Sequence, residues 1–335
     1  MKRQISLFIY ILIFSQIVYS QSDLNLVDIG TFKLSSGNVI KDCKIGYRIF
    51  GKANDTKSNI IIYPTWFGGT SAEIGSLVGK HKFIDTTKYC IIAIDALANG
   101  ISSSPSNYDS TYPEITIKDM VNAEYYLLTE KLKINHVFAA IGGSMGSMQV
   151  LEFAVDYPDF MDKVVAYVTS PKMTSYDLLW MNTQFELIKE GRKYGMNDRE
   201  IKRLSDMISA LISRTPEYVV QNTKVEYFPE YLASFDKEPS KIFTIDDYVA
   251  QLKAISKFDL SENFNGSMEE AASKIKAKLF IIVNQKDMLV NPTEALKFAD
   301  MTKARKLILN DICGHLAVSC ELERCSKEIE DFLNN

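Results

Sequence analysis

Residues 141–148 read Ile-Gly-Gly-Ser-Met-Gly-Ser-Met and directly follow the apolar run Val137-Phe138-Ala139-Ala140. A continuous apolar run of this length suits a buried strand. Residues 147–155 after it carry a helical pattern. Gly142-x-Ser144-x-Gly146 thus falls where a strand turns sharply into a helix, the context in which a serine holds its hydroxyl clear of the sheet edge. The flanking glycines allow the close backbone approach that such a turn needs. Ser144 is the candidate nucleophile.

A seryl hydroxyl is a weak nucleophile at neutral pH, so it needs a base, and the base needs an orienting acid. The chain has three histidines. His136 lies eight residues before Ser144 at the far end of the same strand, about 20–25 Å away at strand rise. His81 falls between two early strands and reads as surface. His315, in Cys313-Gly314-His315-Leu316-Ala317, follows the last strand and opens on the carboxyl edge of the sheet, where Ser144 emerges and where ligands bind in such folds. His315 is the candidate base. Around a strand-to-helix serine the acid lies between serine and histidine along the chain. Asp287 follows the strand expected at residues 279–283 and fits; Asp311, in the loop of His315 itself, ranks second. A tetrahedral oxyanion needs two donors. The Met145 N–H opens the helix, and the loop Tyr63-Pro64-Thr65-Trp66-Phe67-Gly68-Gly69 supplies the Trp66 N–H.

Outward from this stretch, strand-like runs at 60–63, 90–94, 137–141, 164–168, 279–283 and 306–309 alternate with helical patterns at 117–131, 147–155, 292–301 and 322–332. Runs without alternation are covered on both faces, which implies an α/β protein with a mostly parallel sheet and outer helices. Residues 30–51, with Ser36-Gly37-Asn38 at the turn, read as an antiparallel hairpin. Strand character fades between 171 and 277, where Asp198–Ile212 and Ile245–Phe258 are helical in period. That stretch is expected to be a helical cap inserted into a core formed by 21–170 and 278–335.

Lys2 and Arg3, an apolar run over 5–14 and small residues at Val18 and Ser20 form the pattern of a signal peptide, residues 1–20, cleaved before Gln21. The run is short of the roughly 18 apolar residues that a membrane span requires. Export to the periplasm or the medium is the expectation, with no stable membrane span after processing. The formal charge of −4 becomes −6 without Lys2 and Arg3, which argues against nucleic acid as a partner. The five cysteines lack metal-ligand spacing, and no cofactor or metal is called for. One disulfide near the C-terminus is expected, Cys320 with Cys325 or Cys313 with Cys320.

The stretch Gly142 to Gln149, followed by Tyr157-Pro158-Asp159, resembles the homoserine O-acetyltransferase family of α/β-hydrolase-fold proteins. The likeness runs from Phe32-Lys33-Leu34 and Gly46-Tyr47-Arg48 to Asp287 and Gly314-His315. It implies the α/β-hydrolase fold with a helical cap, Ser144 as acyl-accepting nucleophile with Asp287 and His315, Met145 and Trp66 as oxyanion donors, and a homodimer through the cap. Two features depart. The family usually has glycine where Ser147 stands, and its carboxylate-binding arginine has no counterpart in Asn182–Ile188, with Arg192 lying beyond. The expectation is therefore an exported serine hydrolase that acts on a small-molecule ester or related acyl bond. The alternatives are an acyltransferase to an alcohol and a non-catalytic binding protein of the same fold.

Overall fold

The computed structural model describes residues 22–238 and 240–335, so the signal-peptide reading of 1–20 lies outside the described residues. Eight strands form one sheet: β1 (Asn25–Lys33), β2 (Val39–Phe50), β3 (Ile60–Pro64), β4 (Cys90–Ile94), β5 (Val137–Gly143), β6 (Met161–Tyr167), β7 (Lys278–Asn284) and β8 (Arg305–Leu309). Their order is β1-β2-β4-β3-β5-β6-β7-β8. The hairpin β1–β2 and the pair β2–β4 are antiparallel, and the remaining pairs are parallel.

The unbroken apolar runs follow from this arrangement. Successive residues of a strand face opposite sides, so Ile60 and Ile62 join one core while Ile61 and Tyr63 join the other. The helices Ile117–Tyr126 and Met145–Asp156 bury residues in the first core, and Ser71–Leu77 and Leu322–Asn334 bury theirs in the second. Every residue of β3 and β4 is buried. Several expected boundaries shift, two of them for a visible reason. The first helix gives way after Tyr126 to a π turn, Leu127–Lys131, in which both Leu127 and Leu128 stay fully buried. The helix after Ser144 starts at Met145 rather than 147, because the Ser144 carbonyl already accepts from the Ser147 and Met148 N–H groups.

Between β6 and β7 the longest helices are Ser175–Lys193, Asp198–Ser213 and Ile245–Ser256. Each starts at a capping box, and two of the box carboxylates also fasten the insertion to the core. Asp177 Oδ2 accepts from the Thr174 N–H and hydroxyl, and its Oδ1 accepts from the Asn291 N–H at 3.0 Å. Asp247 Oδ2 accepts from the Thr244 N–H and hydroxyl, and its Oδ1 accepts from the Ser106 N–H at 2.9 Å. Among the described residues no helix is long and apolar enough to cross a membrane.

One buried group works against the fold. Glu124 is 1% exposed, and neither carboxylate oxygen has a hydrogen-bond partner among the described residues. Burial, with Asp95 nearby, holds its carboxyl well above the usual range. The folded state therefore keeps a proton that the unfolded chain releases, and stability falls as pH rises from the ordinary carboxylate range toward the raised folded value. Glu124→Met is expected to stabilise the protein by about 1–3 kcal/mol at pH 8 and by less at pH 5. Urea midpoints at the two pH values check this.

Candidate active site

Parallel strands bring their carboxyl ends to one rim, and β5, β7 and β8 each send one residue type there. Gly143 of β5 lies opposite Tyr167, and Asn284 of β7 lies opposite Leu309 of β8. The turns after these strands therefore meet, though Ser144, Asp287 and His315 are far apart in the chain.

Ser144 sits at φ 54° and ψ −127°, a conformation that costs an L-residue about 1–3 kcal/mol and persists only when the surroundings enforce it. They do. The Ser144 N–H donates to the Tyr167 carbonyl at 3.0 Å. A Cβ on Gly142 would lie 2.2 Å from the Gly146 oxygen, and one on Gly146 would lie 2.6 Å from the Pro64 oxygen. Only glycine lets strand, turn and helix approach this closely.

His315 Nδ1 lies 2.7 Å from Asp287 Oδ2, and its Nε2 lies 3.0 Å from Ser144 Oγ. With Nδ1 donating to the carboxylate, Nε2 is left as the acceptor for the serine hydroxyl. Asp287 and His315 are both buried. Asp287 also braces its own turn, since Oδ1 accepts from the Leu289 and Val290 N–H groups at 2.8 and 2.9 Å. Asp311 is occupied elsewhere, accepting from the Cys313 N–H at 2.7 Å. His136 stays at the opposite edge on Asp159 and Asp162, and His81 is exposed.

Sequence reasoning missed the residue that holds the His315 loop. The Asn284 side chain donates to the Asp311 and Gly314 carbonyls at 2.9 and 2.7 Å and accepts from the Asp311 N–H at 3.0 Å. A polar residue closing an apolar strand was the available signal. The same loop carries the Cys313–Cys320 disulfide, while Cys43, Cys90 and Cys325 are free and buried. Of the two pairings left open, this one brackets His315. Replacing both bridged cysteines by serine is expected to cost about 2–3 kcal/mol, the loop-closure value for so short a loop. Denaturant midpoints would measure it.

The loop after β3 is pinned at Thr65, whose N–H donates to Ile94 O and whose Oγ1 accepts from the Ala96 N–H, each at 3.0 Å. The buried Gln149 amide donates to Thr65 O at 3.0 Å and to Met145 O at 3.2 Å. A trans peptide sets its C=O and N–H opposite each other, so this bond turns the Trp66 N–H away from Gln149. Among the described residues neither the Trp66 nor the Met145 N–H has an acceptor. Gln149, like Asn284, was not singled out in the sequence.

These groups open on a cavity of about 450 Å³. Its walls are mostly apolar, with Trp66, Phe67, Leu77, Val168, Leu289 and Leu316 beside Ser144 and His315. Tyr167 also lines it; burial pushes its hydroxyl up to about 12, so it faces Tyr63 as a neutral hydrogen-bonding partner. Asn182–Ile188 lies outside the cavity lining, and Arg192 pairs with Asp246 on the surface.

Fold and site together define an α/β hydrolase, and the alpha/beta hydrolase fold family matches residues 59–319. The chain belongs to that family. A homoserine O-acetyltransferase of Nautilia profundicola is 29% identical over 90% of this chain and 95% of its own. An ethyl acetate hydrolase of Pseudomonas veronii is 26% identical over 88% and 89%. The crystal structure of an acetylester hydrolase from Corynebacterium glutamicum superposes with a TM-score of 0.82 at 26% identity, covering 93% of this chain and 95% of that one. The protein is an α/β-hydrolase-fold enzyme of the ester-hydrolase or acyltransferase kind.

Proposed function

We propose that the protein is an exported serine esterase that cleaves small acyl esters, acetyl esters foremost, through an acyl-enzyme on Ser144. The observation that carries this reading is the hydrogen-bonded row Ser144–His315–Asp287 at the wall of an apolar cavity. His315 Nε2 takes the hydroxyl proton as Oγ attacks the ester carbonyl, and Asp287 holds the imidazolium that forms. The Met145 and Trp66 N–H groups receive the oxyanion. His315 then protonates the leaving alcohol, and water deprotonated by the same ring releases the acid.

Transfer to an alcohol shares the first half of this cycle. Hydrolysis is favoured because no arginine or lysine is among the lining residues described, which leaves an acceptor such as homoserine without a partner for its carboxylate. The test supplies ethyl acetate with and without added alcohols. Free acetate as the main product supports hydrolysis, whereas new esters outpacing acetate would replace it with transfer. A fluorophosphonate that fails to label the intact protein would leave only the binding-protein reading. Export is supported by the pattern of residues 1–20 and by the Cys313–Cys320 bridge, since such bridges persist in oxidising compartments. A mature N-terminus at Gln21 in the exported fraction is the expected finding, and an unprocessed Met1 would remove that part of the reading.

A further inference from the structure

Glu73 stands on the cavity wall as the one carboxylate among the lining residues described. Its place follows from local sequence. Thr70-x-x-Glu73 forms a capping box that starts the helix Ser71–Leu77, and Glu73 Oε2 accepts from the Thr70 N–H at 2.8 Å and from the Thr70 hydroxyl at 3.0 Å. Glu73 Oε1 has no hydrogen-bond partner among the described residues, and Glu73 forms no ion pair there. Lys82 donates to the Ser76 carbonyl at 3.0 Å and is not among the lining residues described. Apart from His315, the remaining lining groups carry no ionisable charge near neutral pH.

We propose that Glu73 sets the charge selectivity of this cavity, admitting neutral and cationic esters and disfavouring esters that carry a carboxylate. The inference rests on the esterase reading and names its substrate class. Glu73 is exposed to solvent, so its negative charge attracts a cation and repels an anion over several ångströms but is open to screening by water and salt. It also acts on transition state and bound substrate alike, so it should move kcat/KM through KM.

The test compares acetylcholine, its uncharged isostere 3,3-dimethylbutyl acetate, and acetoxyacetate as substrates for the wild type and Glu73→Gln. Glutamine keeps an acceptor for the Thr70 N–H, so the helix start and the melting temperature should be preserved. Expected is a fall of about threefold to tenfold in the cation-to-neutral ratio of kcat/KM at low salt, with acetoxyacetate rising by a similar factor. In the wild type alone, raising salt to about 1 M should erase most of the preference, because the screening length shrinks to about 3 Å. Ratios unchanged by both the substitution and salt, with the neutral ester still cleaved, would overturn this inference and leave the esterase reading standing. Failure of the wild type to cleave any of the three esters would overturn both.

Discussion

Ser144→Ala is expected to lower kcat for ester hydrolysis by about 10⁴-fold or more, with KM nearly unchanged. The substitution deletes the proposed nucleophile and leaves the cavity, the Met145 and Trp66 N–H groups and the His315–Asp287 pair in place. Residual turnover would come from those donors acting on bound ester and water. Folding should be spared, because alanine carries the same β-carbon through the left-handed turn and the N–H bond to Tyr167 is kept. Steady-state kinetics with ethyl acetate and labelling by a fluorophosphonate read the outcome. Turnover within tenfold of the wild type would remove Ser144 from the chemistry.

Asp287→Asn should cost about 10³–10⁴ in kcat, and the structure says why so small a change should matter. Oδ1 of residue 287 is claimed by two backbone donors, Leu289 and Val290. An asparagine must therefore point its oxygen at them and its NH2 at His315. That NH2 donates to Nδ1, which moves the ring proton to Nε2, and Nε2 is then no longer an acceptor for the serine hydroxyl. The turn survives while the base is lost. Stability within about 1 kcal/mol of wild type alongside the kinetic loss would separate this effect from unfolding. An Asn variant with full activity would mean that His315 needs no orienting carboxylate.

Much of this site is legible in the sequence. The glycine spacing around Ser144, a preceding strand and a following helix are local features that stay close in the chain. The order serine, aspartate, histidine came from the order that triads around a strand-to-helix serine take, and parallel strands then bring the three loops to one rim. Asp287 serves two partners at once, since one oxygen stabilises a turn and the other faces the imidazole. Asn284 was invisible as a loop holder because its partners, Asp311 and Gly314, lie 27 and 30 residues further on. Glu73 was readable as half of a capping box, yet nothing in Thr70-x-x-Glu73 says that the free oxygen borders a cavity. The π turn at Leu127–Lys131 escaped for another reason: its apolar spacing matches an ordinary helix, and packing of both Leu127 and Leu128 decided otherwise.

By itself the amino-acid order determined the α/β class and singled out Ser144, His315 and Asp287 as the residues expected to meet at one rim. Periodicity and turn chemistry are set by near neighbours, and strand direction then constrains which loops share a rim. Tertiary structure alone decided which cysteine Cys313 joins, which side chains hold the His315 loop, and that Glu73 stands among the cavity's lining residues. Those outcomes depend on distances that local sequence does not fix, even across the 7 residues of the disulfide or the 30 between Asn284 and Gly314, and packing in three dimensions is what sets such distances.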